Sequence, residues 1–475
     1  MPYEILTSDE IYDIHLATLE VLESVGVKVL EEKALKKLAE VGANVDFKDR
    51  IAKIPEYIVN EAVKKAPSTF NLYGRAKSVL RLGGKKVYFA SQGTSTYVLD
   101  LETGKRRYAT LKDVALLTRL ADSLENIHHV SEIVSPTDVP VSVAHAYSLV
   151  ERFKNTKKPT DGYNYGELPA MDCIRIASVV AGGEDELRKK PMMIGFYNPL
   201  SPLTHSKDTL EGLRVFGKYG QPVIIAPEAQ AGMTAPVTLA GLLVQQNAEI
   251  LSGMVIAEMF NPGAPVLYGT VSTISDMKTG NIALGSAETA LINMATAQLA
   301  RYYRIPSRGT GGVTDSKIPD IQAGIEQSIT LLMAAAAGIN FIYYAAGSLE
   351  STKTASYEQL LISNDICGMV SRILRGIEVN DETLAVDVIR DVGPGGMYIA
   401  NRHTLEHFKK EHFIPKIINR ETREIWERKG AKDLQEASHE TVKSILKDYQ
   451  PEPLDKNVEK ELERIIKDIE KRACS

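Results

Sequence analysis

Short runs of apolar and β-branched residues alternate with longer segments of helical period through the middle of this chain. Between Tyr88 and Arg375 the runs are Tyr88–Ser91, His129–Val134, Thr160–Asn164, Met192–Tyr197, Pro222–Ala226, Pro265–Gly269, Ser307–Gly312 and Asn340–Tyr344. The stretches between and after them predict helices near Leu111–Leu124, Ser142–Asn155, Pro169–Ala181, Lys207–Tyr219, Ala235–Phe260, Leu284–Tyr303, Pro319–Ala337 and Tyr357–Arg375. Strands that alternate with helices form parallel βαβ units. Eight such units are enough to close a (β/α)8 TIM barrel of the α/β class. A barrel of this kind builds its site at the carboxyl ends of its strands, so the pattern says where to look first.

The flanks follow different rhythms. Ser8 is placed to cap a helix through Ser24 that Gly26 stops, Glu31–Val41 forms a second helix closed by Gly42, and Pro55 starts a third. Phe70–Tyr73, Val79–Leu82 and Val87–Ala90 read as strands, followed by a hairpin of Tyr97–Leu101 and Arg106–Ala109 around Thr103-Gly104. After Val379 the chain turns to charged helices ending in Lys456–Lys471. The expected organisation is a helical and small β extension over 1–85, the barrel over 86–380 and a helical cap over 381–475.

Composition narrows the class without changing it. With 44% hydrophobic and 25% charged residues the chain is of ordinary globular make-up. A net charge of −5 and the lack of a basic block argue against a nucleic-acid partner. Cys173, Cys367 and Cys474 are far apart and form no CxxC pair, which disfavours a thiolate metal site and suits a reducing cytoplasm. Met1–Ile5 has neither the basic start nor the apolar core of a signal peptide. The longest apolar stretch, Leu331–Gly347, is divided by Gly338 and Asn340 into a helix end and a buried strand, so no membrane partner is expected.

The residues just past each strand carry the chemistry. They include Gln92-Gly93-Thr94 and then Tyr97, Tyr163-Asn164-Tyr165, Phe196-Tyr197-Asn198 and then His205, Glu228 with Gln230, Arg308, and Tyr343-Tyr344 followed by Glu350. Twenty tyrosines stand against ten phenylalanines and one tryptophan, and they gather where the barrel mouth should be. Tyrosine presents a π face with a polar tip. Several such faces around one pocket attract a cation, above all a quaternary ammonium that has no N–H to donate. The plain alternative is that these rings only seal the barrel top.

Familiar catalytic signatures are missing: there is no Gly-x-Ser-x-Gly, no His-Glu-x-x-His and no Gly-x-x-x-x-Gly-Lys. Gly309-Thr310-Gly311-Gly312 reads either as a phosphate cradle or as a loop kept slim for a large visitor. His403, His407 and His412 admit a metal by spacing, but surface packing is the simpler reading, and no metal site is expected.

Taken together these positions resemble the trimethylamine methyltransferase family, corrinoid-dependent enzymes with a barrel fold. The resemblance spans nearly the whole chain. It rests on Ile14–Val27, on Thr314-Asp315-Ser316-Lys317-Ile318-Pro319-Asp320 through Glu326, on Tyr344-Ala345-Ala346-Gly347-Ser348-Leu349-Glu350, and on Arg402–Phe408. Founding members use a pyrrolysine that this chain lacks; Thr314–Lys317 and Gly347–Glu350 are the candidate stretches for its replacement. Relatives without pyrrolysine include methyltransferases for glycine betaine and similar quaternary amines. The resemblance therefore implies methyl transfer from a quaternary amine, glycine betaine in first place, to the Co(I) corrinoid of a partner corrinoid protein. The chain itself would bind no cofactor, because the cobalamin arrives with the partner. Tyr97, Tyr163, Tyr165, Tyr197 and Tyr344 are the cage candidates. Glu228 and Glu350 would add carboxylate attraction, and Arg308, with His205, would hold a betaine carboxylate. No catalytic acid or base is assigned. The habits of the fold point to a homo-oligomer.

Two other readings compete. One is a barrel lyase or isomerase on a carboxylated or phosphorylated metabolite, with Lys317 or Glu228 as base. The other is a quaternary-amine binding protein that kept the pocket and lost the transfer.

Overall fold

The computed structural model describes residues 2–75 and 78–474. Its centre is a seven-stranded parallel sheet in the order Tyr88–Ser91, Phe341–Ala346, Ser307–Thr310, Val266–Gly269, Val223–Ile225, Met193–Tyr197 and Thr160–Asp161. Every neighbouring pair in that order is parallel. The two edge strands approach each other through the segment at His129–Val130, which bridges Ala90 on one side and Thr160 on the other.

The remaining expected strand, His129–Val134, is present only as such isolated bridges. Side chains have replaced part of its ladder. The Ser131 amide donates to Ser91 Oγ at 2.9 Å, and the Glu132 amide donates to Asp161 Oδ2 at 3.2 Å.

The eight expected helices are present, with ends shifted by a few residues at most: Leu111–Ser123, Val141–Asn155, Glu167–Ala181, Lys207–Lys218, Leu239–Phe260, Ala287–Tyr303, Ile321–Ala336 and Tyr357–Arg375. The first helix starts one residue earlier in its capping than expected. Thr7, not Ser8, is the cap: its hydroxyl accepts from the Glu10 amide while the Glu10 carboxylate accepts from the Thr7 amide. That helix runs Ser8–Glu20 and widens into a π turn over Val21–Val25 before Gly26. The apolar run Leu331–Gly347 divides as expected, with Gly338 at φ +85° between a helix and a strand.

The sheet interior is filled from one end. Leu72, Leu80 and Leu82, from the hairpin Phe70–Tyr73 and Val79–Leu82, cluster with Ile194, Ile224, Leu267 and Phe341. This packs the hairpin against the sheet interior from the amino-terminal end of the strands, opposite the carboxyl end. Outside the sheet, Leu239–Phe260 is apolar on nearly all faces because the amino-terminal helices pack over it. It is the one helix among the described residues long and apolar enough to cross a membrane, and 72% of its apolar window is buried inside the protein. Of the terminal helices, Leu434–Asp448 lies against Tyr357–Arg375, and Lys456–Cys474 lies against Val141–Asn155 and Glu167–Ala181.

Candidate functional site

A cavity of about 200 Å³ opens at the carboxyl ends of the strands. The third, fourth and fifth expected strands bring Tyr163 and Tyr165, Phe196 and Asn198, and Glu228; the last two bring Arg308, Tyr343 and Tyr344; Thr94, Glu132 and Asp161 complete the wall. At about 30 Å³ per water-sized group, it has room for a molecule the size of a small methylated amino acid.

The aromatic rings form a nearly continuous lining. Tyr163 and Tyr165 have ring centroids 5.4 Å apart, and Phe196 meets Tyr343 edge-on at 4.8 Å. Tyr343 meets Tyr344 edge-on at 4.8 Å. Tyr344 reaches this position by leaving regular strand geometry. Its φ is +69°, and the pairing of its strand with Tyr88–Ser91 shifts register between Ile342 and Ala346. A left-handed backbone at a bulky residue costs about 1–3 kcal/mol and persists where the surroundings enforce it. Here a bulge places two consecutive side chains at one wall.

Arg308 lies fully buried behind these rings, its guanidinium carbon 5.2 Å from the Tyr343 centroid and 5.4 Å from that of Tyr344. Nη1 donates to the Thr270 carbonyl and, at 2.9 Å, to Thr310 Oγ1. Nε and Nη2 have no hydrogen-bond partner. The Tyr344 hydroxyl is close enough to the guanidinium to interact with it and favours its charged form. Two donor nitrogens left without an acceptor on a buried cation are costly, and an acceptor supplied by a ligand would relieve them.

Carboxylates supply the opposite charge. Asp161 Oδ2 accepts from the Tyr343 hydroxyl at 2.5 Å, and Oδ1 lies 3.3 Å from His129 Nε2. Burial pushes the Asp161 carboxyl up to about 6, against the pull of Arg152. Burial also pushes His129 down to about 3, so that imidazole is neutral and leaves the carboxylate without a counter-ion on that side. Glu132 is raised by burial and sits 3.5 Å from Arg152 Nη2. Glu228 is surrounded by protein but its surface opens into the cavity; desolvation raises it, with Arg308 opposing. The Asn198 amide bridges the wall, accepting from the Tyr165 hydroxyl at 3.0 Å and donating to the Ala226 carbonyl at 2.7 Å. The Tyr344 phenol, pushed up to about 12 by burial, stays protonated.

Of the residues singled out in the sequence, Tyr163, Tyr165, Glu228, Arg308 and Tyr344 meet at this cavity, and four do not. Tyr197 and His205 are fully buried on the outer face of the sheet, hydrogen-bonded to each other, with His205 Nε2 2.8 Å from Ser252 Oγ on the helix Leu239–Phe260. Strand alternation explains this: Phe196 points inward, so Tyr197 points outward. Tyr97 lies in the side hairpin, stacked on Tyr108 at 4.8 Å with the Arg106 guanidinium 3.5 Å over its ring. Glu350 pairs with Arg106 at 2.9 Å. It borders a separate depression of about 470 Å³ with Asp315 and Lys317, where the Thr314–Lys317 and Gly347–Glu350 stretches meet.

The phosphate-cradle reading of Gly309–Gly312 fails on hydrogen bonding. The amides of Thr310, Gly311 and Gly312 already donate to Asn293 Oδ1, the Tyr343 carbonyl and Thr330 Oγ1. A Cβ on Gly312 would stand 2.6 Å from the Ala345 carbonyl oxygen, so close backbone approach explains the glycine. His403 and His407 stack on each other at 4.2 Å, and among the described residues no group of three His, Cys, Asp or Glu side chains is arranged to hold a metal.

Asp161 and Glu132 were not singled out from the sequence, and Phe196 and Tyr343 were noted at strand ends without being assigned to the site. A signal was present for Asp161 and Glu132: a carboxylate inside a run otherwise reading as a buried parallel strand has to face a polar interior.

Comparison with known proteins places this architecture. A family model described as trimethylamine methyltransferase matches residues 1–474. The chain is 40% identical to a trimethylamine methyltransferase of Desulfitobacterium hafniense (strain DSM 10664 / DCB-2), covering 98% of this chain and 93% of that one. It is 36% identical to a glycine betaine methyltransferase of Desulfitobacterium hafniense (strain Y51), covering 98% and 96%. Among solved structures, the monomethylamine methyltransferase of Methanosarcina barkeri shares the fold, with a TM-score of 0.52 at 12% identity over 92% of this chain and 97% of that one.

Proposed function

We propose, for a chain that belongs to the trimethylamine methyltransferase family and is thus an enzyme of the trimethylamine and glycine betaine methyltransferase type, that its substrate is a quaternary amine bearing a carboxylate, with glycine betaine the best fit. The observation that carries this reading is the cavity lining, which brings aromatic rings and carboxylates together with a buried guanidinium whose Nε and Nη2 have no hydrogen-bond partner.

The trimethylammonium head lies against Tyr163, Tyr165 and Phe196, near Asp161 and Glu228. Ring quadrupoles and carboxylates both favour a fixed positive charge, and the ring contribution reaches about 2 kcal/mol when desolvated. The carboxylate meets Arg308. Its Nε and Nη2 form the edge that pairs with a carboxylate in bidentate fashion. Arg308 is fully buried, so that edge is reached when the half-buried Tyr344 ring gives way.

No general acid is needed for this reaction. A methyl leaving a quaternary nitrogen leaves a neutral amine behind, so the protein's task is to hold the cation, aim one methyl outward and exclude water. A reduced corrinoid on a partner protein supplies the nucleophile that accepts the methyl group. The seven parallel strands, closed through His129–Val130, are read as a (β/α)8 barrel whose open end faces that partner.

The test is a panel of methylated amines incubated with the enzyme and a reduced corrinoid protein, followed by the visible spectrum of the corrinoid and by detection of the demethylated amine. Transfer from glycine betaine, with little from trimethylamine, is the expected outcome. Transfer from trimethylamine alone, or turnover of an amine without any corrinoid protein, overturns it.

A further inference from the structure

One place in the sheet ladder is held by a side chain instead of a strand. The Val130 amide donates to the Pro159 carbonyl at 3.0 Å, and in a regular parallel ladder the Glu132 amide would donate next to the Asp161 carbonyl. It donates to the Asp161 carboxylate instead, at 3.2 Å. The Asp161 carbonyl is taken by Arg152, whose Nη1 reaches it at 2.8 Å and Thr160 Oγ1 at 2.7 Å. Arg152 comes from helix Val141–Asn155 and is fully buried.

The same guanidinium carries charge to the cavity wall. Nη2 lies 3.5 Å from Glu132 Oε2, and neither Nη2 nor Nε has a hydrogen-bond partner. Tying the helix to the strand uses Nη1 alone. A neutral donor would do that without the desolvation cost of a buried cation. The positive charge therefore has a further use, and Glu132 and Asp161, both lining the cavity, are what lies within its reach. Burial raises both carboxyls, and Arg152 is the strongest influence opposing it at each, ahead of Arg308 at Asp161.

We propose that Arg152 is a positioning residue for this wall: it holds Asp161 and Glu132 turned toward the cavity and keeps a positive charge behind them, without touching the substrate. This rests on the reading above that the cavity takes an ammonium group. The other titratable or charged groups around the pair are His129, Tyr163, Cys173, Tyr343, Tyr344 and Arg308. Burial keeps the imidazole neutral and the thiol and phenols protonated, so none of them changes charge near neutral pH.

The test reads the carboxylates directly. Infrared spectra of the full chain are recorded across pH, and the band of protonated buried carboxyl groups is assigned with D161N and E132Q. In the wild type the Asp161 band grows in as pH falls through about 6. In R152Q its midpoint moves up by about one unit or more, the shift expected on removing an opposite charge a few ångströms away. In R152K, which keeps the charge, it moves much less. Calorimetry adds the functional readout: at pH 7 the affinity of R152Q for glycine betaine falls roughly threefold or more and recovers as pH is raised to about 9, a recovery that a merely loosened strand would not give. An Asp161 midpoint that R152Q leaves in place, or an affinity loss independent of pH, overturns the proposal. A moved midpoint in a protein that binds no methylated amine supports the role of Arg152 at the wall and counts instead against the substrate reading. Should R152Q fail to fold, E132Q is compared with R152Q/E132Q, which removes the charge on both sides of that contact. The midpoint of the double variant lies above that of E132Q by about one unit, and equal midpoints reject the proposal.

Discussion

Two polar clusters built on neighbouring strands show what the two faces of the sheet are for. Inside, Arg308, Tyr343, Tyr344 and Asp161 surround a space that opens outward, with Arg308 Nε and Nη2 unpaired and Asp161 held near neutrality by burial. Outside, Tyr197, His205 and Ser252 are fully buried, and every ring polar atom has a partner. Burial pushes His205 down to about 3, so that cluster is neutral throughout. The residue types are similar and the sequence positions are equivalent, just past strands. The difference is satisfaction: a saturated network stabilises a packed layer, whereas an unsaturated one at a cavity retains capacity for a ligand.

The largest expected effect separates the two clusters most sharply. Arg308→Ala should lower kcat/KM for glycine betaine by about 100-fold or more, since a charged bidentate pair is worth roughly 3 kcal/mol. Arg308→Lys should recover only part, because an ammonium lacks the planar fork. Binding of tetramethylammonium, which has no carboxylate, should change much less. Equal losses for both ligands would remove the assignment of Arg308 to the substrate carboxylate.

A smaller effect should follow pH. The folded pKa of Asp161, about 6, lies above its ordinary value of 3.8. The folded protein therefore holds this proton more tightly than the unfolded chain. Stability from this group is present below about pH 4 and is lost as pH rises toward 6. Cation binding has the opposite sense, because it requires the carboxylate. Affinity for the amine should fall as pH drops through 6, approaching tenfold per unit, in calorimetric titrations. Asp161→Asn should flatten that dependence, weaken binding at pH 7 and leave the folded protein as stable or more so. An unchanged pH profile in the Asn variant would assign the charge to Glu228 or Glu132 instead.

The smallest catalytic effect belongs to the outer cluster. Tyr197→Phe removes the partner of a buried imidazole and should cost about 1–3 kcal/mol of stability. A lower unfolding midpoint with methyl transfer within about twofold of wild type is expected. A large loss of transfer without loss of stability would show that the outer layer reaches the site.

Much of this was legible from pattern. The βα rhythm placed seven sheet strands and eight helices within a few residues, and Gly338 with Asn340 divided the one misleading apolar run. The tyrosine-rich strand ends pointed to the end of the sheet where the candidate cavity opens. Four candidates nevertheless lie elsewhere. Tyr197 follows Phe196 and so takes the opposite face, a one-residue parity that decides everything about its environment. Tyr97 belongs to the side hairpin that the pattern itself predicts, where Arg106 stacks on it, and Glu350 is held by the same Arg106, remote from it in sequence. Tyr343 and Tyr344 should also have faced opposite ways. The bulge that sets both at one wall has no signature in the letters.

The amino-acid sequence by itself determined the order and type of the elements, since hydrophobic period and turn residues act over a few positions and need no partner to be read. Only the tertiary structure decided which strand-end side chains share a cavity, which are sealed behind the sheet and which donors are left without acceptors. Those outcomes depend on register, on one strand's bulge and on contacts between residues far apart in the chain, and no local pattern encodes them.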